Sequence, residues 1–318
     1  MKVFNRAEQD RIFYNYIKQL RDDKTDKNIK SIYHYTSPKG LQNILKENCL
    51  WLSDIHYLND EQEMLHTVSL AQTIAKEMYK TEKSEFLKEI IEDSIIPATI
   101  LPLDTFFRGI TPDIEQYIKN RELKNLKFIA CFSKDKDNLP LWNYYSKSEN
   151  KTGYNIEFDK EKLIKNLSST FKISIHGKVI YDYKKQRQRL SEIISDCNNC
   201  YKNHCRYDEE RSDCKTIYWD LLNWYCLFYK NEAFKSEEEY RIVVDMNSLE
   251  KPFKCKEFRE CNGFFIPYIK TCFEKDIVKS ITISPIQKEE IVKKSIEQLA
   301  DSFDYNITVI NSKIPLRY

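Results

Sequence analysis

Glycine is scarce in this chain, with 5 in 318 residues, and no stretch has the Gly/Ser composition of a flexible linker. Internal repeats and low-complexity tracts are missing too, which argues against repeat arrays and leaves domain boundaries poorly marked. An excess of one charge is equally lacking. The 51 basic and 49 acidic side chains leave a net +2, so no global field would hold a polyanion or an anionic bilayer, and any nucleic-acid contact must be local. No apolar run approaches the roughly 18 residues of a membrane-spanning helix. The opening MKVFNRAEQDRIFYNYIKQL spreads charges through every turn, unlike the apolar stretch of a secretory signal. These absences predict a cytoplasmic protein without a membrane partner.

What is present suits a packed globular chain. Hydrophobic residues make up 41% and charged residues 31%, which is too apolar for a disordered protein. The length allows one large domain or two small ones, and the pattern favours a single α+β domain spanning 1–318 with helical inserts. Ten cysteines without an export signal predict mostly reduced thiols. Cys49, Cys131, Cys226, Cys255, Cys261 and Cys272 stand singly and read as small core residues.

Along the chain, residues 5–20 read as a helix and 31–36 (SIYHYT) as a short strand rich in aromatic and β-branched residues. Ser37 followed by Pro38 predicts an N-cap and a first-turn proline, with Leu41, Ile44 and Leu45 supplying the apolar spacing behind them. Helical inserts are expected at about 60–120 and 183–233. Strands are expected at 50–53, 127–133, 153–158, 238–245, about 263–269, 279–283 and 306–310. Ser284, Pro285 and Gln287 predict a capping-box start to a last helix. Strands gathered around helical inserts imply a mixed or antiparallel sheet.

The segment EEEYRIVV carries the strongest chemical signal. Strand alternation would place Glu237, Glu239 and Arg241 on one face, where paired carboxylates beside an arginine can be held in distinct ionisation states and stabilise a cationic transition state. The same pattern also fits a solvated edge-strand face. His34 shares a face with Ile32 and Thr36 and fits a hydrogen-bonded structural histidine as well as a functional one. Ser133 ends a strand, where a turn or cap role is the ordinary reading. Trp142 and Tyr145 lie three apart on one helical face, the spacing of core residues or of a stacking surface for a base.

Five ordered segments together, YHYTS (33–37), LWLSDIHYLNDEQE (50–63), CFSKDKDNLPLWNYY (131–145), GYNIEF (153–158) and FKSEEEYRIV (234–243), resemble the bacterial domain-of-unknown-function family 2971 over about residues 31–245. That family in turn resembles the ADP-ribosyltransferase superfamily. The resemblance implies an ADP-ribosyltransferase-like sheet core that binds NAD as substrate. It also implies that His34 holds a ribose, Ser133 sits in the second motif, Glu239 is the catalytic carboxylate and Glu237 is its partner. Lys134 and Asp135 follow Ser133, so the serine-threonine-serine form of the second motif is absent. Such enzymes break the nicotinamide–ribose bond through an oxocarbenium-like sugar, whose charge a carboxylate stabilises. Arg241 would fix the carboxylates or engage a phosphate through its planar fork, and no metal is required. The acceptor would be a protein or nucleic acid, with a toxin or phage-defence role. Water as acceptor would make the protein an NAD glycohydrolase, and a non-catalytic nucleotide- or nucleic-acid-binding module is the reading from another class.

Cys197, Cys200, Cys205 and Cys214 are spaced C-x2-C-x4-C-x8-C with His204 inside the group. The opening resembles half a zinc site, but the later spacings match no standard finger, so reduced thiols in a helical insert are expected over zinc. Lys184, Lys185, Arg187 and Arg189 concentrate positive charge just before it, as a solvated helix face or a guide for a phosphate-bearing target.

Overall fold

A computed structural model describes residues 7–24, 28–57, 61–92, 127–145, 152–170, 173–246, 256–261, 263–286 and 290–315. The chain divides into two compact units, one of residues 1–25, 58–125 and 179–234, the other of 26–57, 126–178 and 235–318. The expected inserts and first helix fall in the first unit, and every strand falls in the second. The stretch of the 60–120 insert beyond residue 92 lies outside the described residues.

The first unit is helical: α1 (Ala7–Lys24), α3 (Glu61–Thr81), α4 (Glu85–Glu92), α7 (Tyr183–Asn203) and α8 (Asp208–Cys226). Asp182 caps α7 by accepting from the Lys185 N–H at 3.0 Å, and the Glu210 carboxylate accepts from the N–H groups of Arg206 and Tyr207 at the start of α8. These bonds satisfy donors that a helix N-terminus leaves unpaired. Buried polar groups cross-link the bundle. Gln186, wholly buried, donates to the carbonyls of Ile180 and Lys230, while the Tyr16 hydroxyl donates to Asp196 at 2.7 Å. Phe86 packs against the rings of Tyr201 and Tyr218.

The second unit is a ten-stranded mixed sheet with, among the described residues, four α-helices. Its strands are β1 (Ser31–Thr36), β2 (Cys49–Asp54), β3 (Lys127–Ser133), β4 (Tyr154–Asp159), β5 (Ile173–Lys178), β6 (Glu239–Asp245), β7 (Glu257–Cys261), β8 (Phe264–Cys272), β9 (Val278–Ile283) and β10 (Thr308–Asn311). Only the β9–β10 pair is parallel among the described strands. The main path runs β10-β9-β4-β1-β3-β2-β8-β7, and β6 with β5 joins along the other side of β3. Thus β3 pairs with β6 over its whole length, while its opposite side is shared by β1, at Tyr33↔Ser133, and β2, at Ser53↔Ile129 and Asp54↔Phe128. The sheet forks there.

One face of the sheet is the core. Ile32, Leu52, Phe132, Ile156, Phe158, Ile242 and Ile281 pack under Leu41, Ile44 and Leu45 of α2 (Pro38–Glu47), Leu163 and Leu167 of α6 (Lys160–Thr170), and Ile296 and Ala300 of α9 (Glu290–Ser302). Helix α2 begins as the sequence predicts. Ser37 Oγ accepts from the Gly40 N–H at 3.1 Å, Pro38 occupies the first turn, and Asn48 closes the helix in the left-handed region at φ 50. Gly40 is required by close approach, since a Cβ there would stand 2.1 Å from Thr36 Oγ1. The last helix starts at Glu290; Gln287, from the expected capping box, lies outside the described residues.

Cys49 and Cys272 depart from the expectation of lone core thiols. They face each other in the β2–β8 register and form a disulfide across a sequence separation of 223. A strand pairing of that range leaves no local signal in the sequence.

Candidate functional site

The opposite face of the sheet carries a polar row that crosses five strands. Register sets Ser280, Glu157, Tyr33, Ser133 and Glu239 side by side on β9, β4, β1, β3 and β6. Directly paired residues of antiparallel strands point to the same face, so the five share one side. The next row brings Cys131 of β3 opposite Arg241 of β6.

At one end of the row, Arg241 grips Glu239 in a two-pronged ion pair, Nε donating to Oε1 at 2.8 Å and Nη2 to Oε2 at 2.9 Å. Both are buried, Arg241 at 2% and Glu239 at 8% exposure. Their spacing of two along a strand puts them on one face, as the sequence predicts. Glu237 does not join them. It is the last residue of a 3-10 segment (Glu232–Glu237), and Glu238 takes a left-handed φ of 48, so strand alternation begins only at Glu239. The E-x-E pattern therefore does not place both carboxylates on one strand face. Glu237 contributes its carbonyl, which accepts from Ser133 Oγ at 2.8 Å, and Lys134 adds a backbone bond and an ion pair to Glu238.

Ser133 is 1% exposed and also accepts from the Asp135 N–H at 3.0 Å, so it holds the loop after β3 as well as the lead-in to β6. That loop is densely bonded. Asn138 reaches the Ser236 carbonyl, and its Oδ1 caps α5 (Leu139–Tyr145) by accepting from the Leu141 N–H. Trp142, 2% exposed, packs edge-on against Tyr35 and donates its indole N–H to Asp137 at 2.7 Å. Its faces are core surface, not an open stacking platform. The Tyr145 side chain lies outside the described residues.

At the other end, Glu157 accepts from Ser280, Lys136 and Ser31. Burial pushes its pKa upward, but these three donors outweigh burial and hold the carboxyl below its ordinary range. Sequence reading did not single out Glu157, Lys136 or Ser280. The alternation of GYNIEF does put Glu157 and Asn155 on one face, but nothing local reveals which strands lie beside them.

His34 is on the core side. Register sets it between Ile156 of β4 and the Phe132 ring, and the structure does not bring it to the face of Glu239. Its Nδ1 lies 3.1 Å from the Cys131 carbonyl. A carbonyl only accepts, so Nδ1 carries the hydrogen in the neutral ring. This bond sits at the fork, between the points where β1 and β2 pair with β3, and the side chain stands in for a backbone partner. Burial lowers the His34 pKa, the bond to Cys131 opposes that, and Arg259 adds to the lowering.

In the first unit, Cys200, Cys205 and Cys214 converge, with all three sulfurs within 4.8 Å of one another, while Cys197 stands outside the trio. Of the basic run, Arg187 is paired with Glu77 and Arg189 with Glu192, which neutralises half of its charge. A cleft of about 640 Å3 on this unit is lined by Tyr16, Glu77, Arg187, Glu192 and Asp196 among others, and by none of the candidate NAD residues. No helix among the described residues is long and apolar enough to cross a membrane.

Fold and site together define a mixed α+β protein with a partly buried, ion-paired polar row on one face of a forked sheet. Over residues 141–242 the chain matches the family described as Protein of unknown function (DUF2971). The matched segment contains Trp142, Glu237, Glu239 and Arg241, while His34 and Ser133 precede it. No curated protein and no solved structure matches the chain.

Proposed function

We propose that this chain is an NAD-cleaving enzyme with an ADP-ribosyltransferase-like core, and that it passes ADP-ribose to a macromolecular acceptor, protein or nucleic acid. The observation that carries the reading is the buried Glu239–Arg241 fork in register with Ser133. A carboxylate oriented by a bidentate guanidinium is placed to stabilise positive charge on a sugar as the nicotinamide bond breaks. Ser133 supports that carboxylate indirectly, by tying the segment before β6 to the end of β3. Glu237, displaced from the strand, orients the acceptor or takes its proton in this reading. His34 acts in this reading as a positioning residue at the fork and makes no contact with NAD.

A second reading is favoured by the same pair's burial. With both Glu239 oxygens held by Arg241, the fork also fits a structural ion pair in a nucleotide-binding module without turnover. Nicotinamide release from NAD by the purified protein, with and without cell lysate as a source of acceptor, separates the two. The enzyme reading expects release that falls at least 100-fold in Glu239→Gln, with circular dichroism and the melting curve showing that the variant is folded. Release by the folded variant at the wild-type rate, or none from wild type under either condition, would overturn it.

A further inference from the structure

The three converging cysteines of the first unit come from separate places in the fold. Cys200 lies in the last turn of α7, Cys205 in the connector to α8, and Cys214 in the second turn of α8. All three are buried and none is in a disulfide. Single buried cysteines serve as small apolar residues, but that role does not require three sulfurs from three elements to meet. In a tetrahedral site with metal–sulfur bonds of about 2.3 Å, the sulfurs would stand about 3.8 Å apart. The trio lies within 4.8 Å, at most about 1 Å wider than that spacing.

The surroundings are those of a site with a polar lining. Cys205 receives a hydrogen bond from the Gln9 amide at 3.6 Å and donates to the Glu210 carbonyl, and Cys214 donates to the Cys197 carbonyl at 3.3 Å. The connector between the helices is short, with His204 closing α7 through a bond to the Cys200 carbonyl. An ion held by thiolates from both helices and their connector would staple this hairpin, which the apparent mismatch of the sequence spacing to known fingers conceals. We propose that Cys200, Cys205 and Cys214 bind one thiophilic divalent ion of the zinc type, as a structural clip. Its three thiols are deprotonated on binding, with one proton released to solvent for each sulfur ligated as a thiolate. The inference does not depend on the reading of Glu239.

The test is metal content of the full chain purified under reducing conditions from zinc-supplemented cells. About one zinc per chain is expected, falling at least tenfold in Cys205→Ser and Cys214→Ser and unchanged in Cys226→Ser, a buried thiol outside the trio. Cys197→Ser should keep the metal, and loss there with retention in Cys205→Ser would overturn the assignment. Because a variant can lose metal by unfolding, metal-free wild type is also titrated with cobalt(II). Thiolate-to-cobalt charge-transfer absorption with tetrahedral visible bands at one equivalent is expected; no zinc in the purified protein together with no such bands would overturn the site.

Discussion

Removing one partner of the Glu239–Arg241 fork should be far more damaging than removing both. Arg241 is 2% exposed and spends two N–H groups on Glu239, whose carboxylate is 8% exposed. Glu239→Gln removes the charge that Arg241 grips through two N–H groups, and Arg241→Met removes the guanidinium that holds both Glu239 oxygens. Each is expected to cost about 3–5 kcal/mol, the range for breaking a buried ion pair by removing one member. The double variant removes both charges together and should cost at least about 2 kcal/mol less than the sum of the singles. Denaturant unfolding of wild type, both singles and the double gives the coupling directly, provided the slopes agree. At about 2–4 °C per kcal/mol, each single variant should also melt about 10 °C early. Additive effects, or singles costing under about 1 kcal/mol, would show that solvent or other groups replace the partner and that the fork does not hold an oriented carboxylate.

Gly40→Ala should destabilise the second unit by about 1–3 kcal/mol, since its Cβ meets Thr36 Oγ1 at 2.1 Å, and Thr36→Ala should relieve most of that cost; equal melting of wild type and Gly40→Ala would refute the contact. Ser133→Ala should cost about 1 kcal/mol by removing the acceptor of the Asp135 N–H and the donor to the Glu237 carbonyl, measurable by urea unfolding. The pH profile should show two acid windows. His34 has a folded pKa below its ordinary 6.5, so the unfolded chain takes the proton first and stability falls as pH drops from about 6.5 towards the folded value. Glu157 is also lowered, from 4.5, so its contribution is full above that value and is lost below it as the folded carboxyl protonates. His34→Gln should flatten only the upper window and Glu157→Gln only the lower; a change in the other window in either variant would refute the assignment.

Local features of the fold were legible. Ser37, Pro38 and the apolar spacing of Leu41, Ile44 and Leu45 specify α2 because a cap and a helical face are written within a few residues. The alternation from Glu239 onwards was also readable, but Glu237 was misplaced because the left-handed turn at Glu238 breaks the period, and a non-glycine residue gives no warning of it. The polar row was not legible. Ser280, Glu157, Tyr33, Ser133 and Glu239 come from five strands whose adjacency is fixed by long-range pairing, as is the meeting of Cys49 with Cys272. The helices of 183–233 and of the described part of the 60–120 insert were visible by periodicity, but their grouping with the first helix in one unit arises from packing that no single segment encodes.

The fork at β3 gives His34 a place that backbone pairing leaves open. Strand β1 is registered against β4 along its whole length but meets β3 through a single residue pair, and the imidazole at the Cys131 carbonyl adds a contact along that thin seam. A slip of β1 by one residue would turn Tyr33 into the apolar core and His34 out onto the polar face. The side chain thus reinforces the seam at which Tyr33 meets Ser133, from the face of the sheet opposite the polar row.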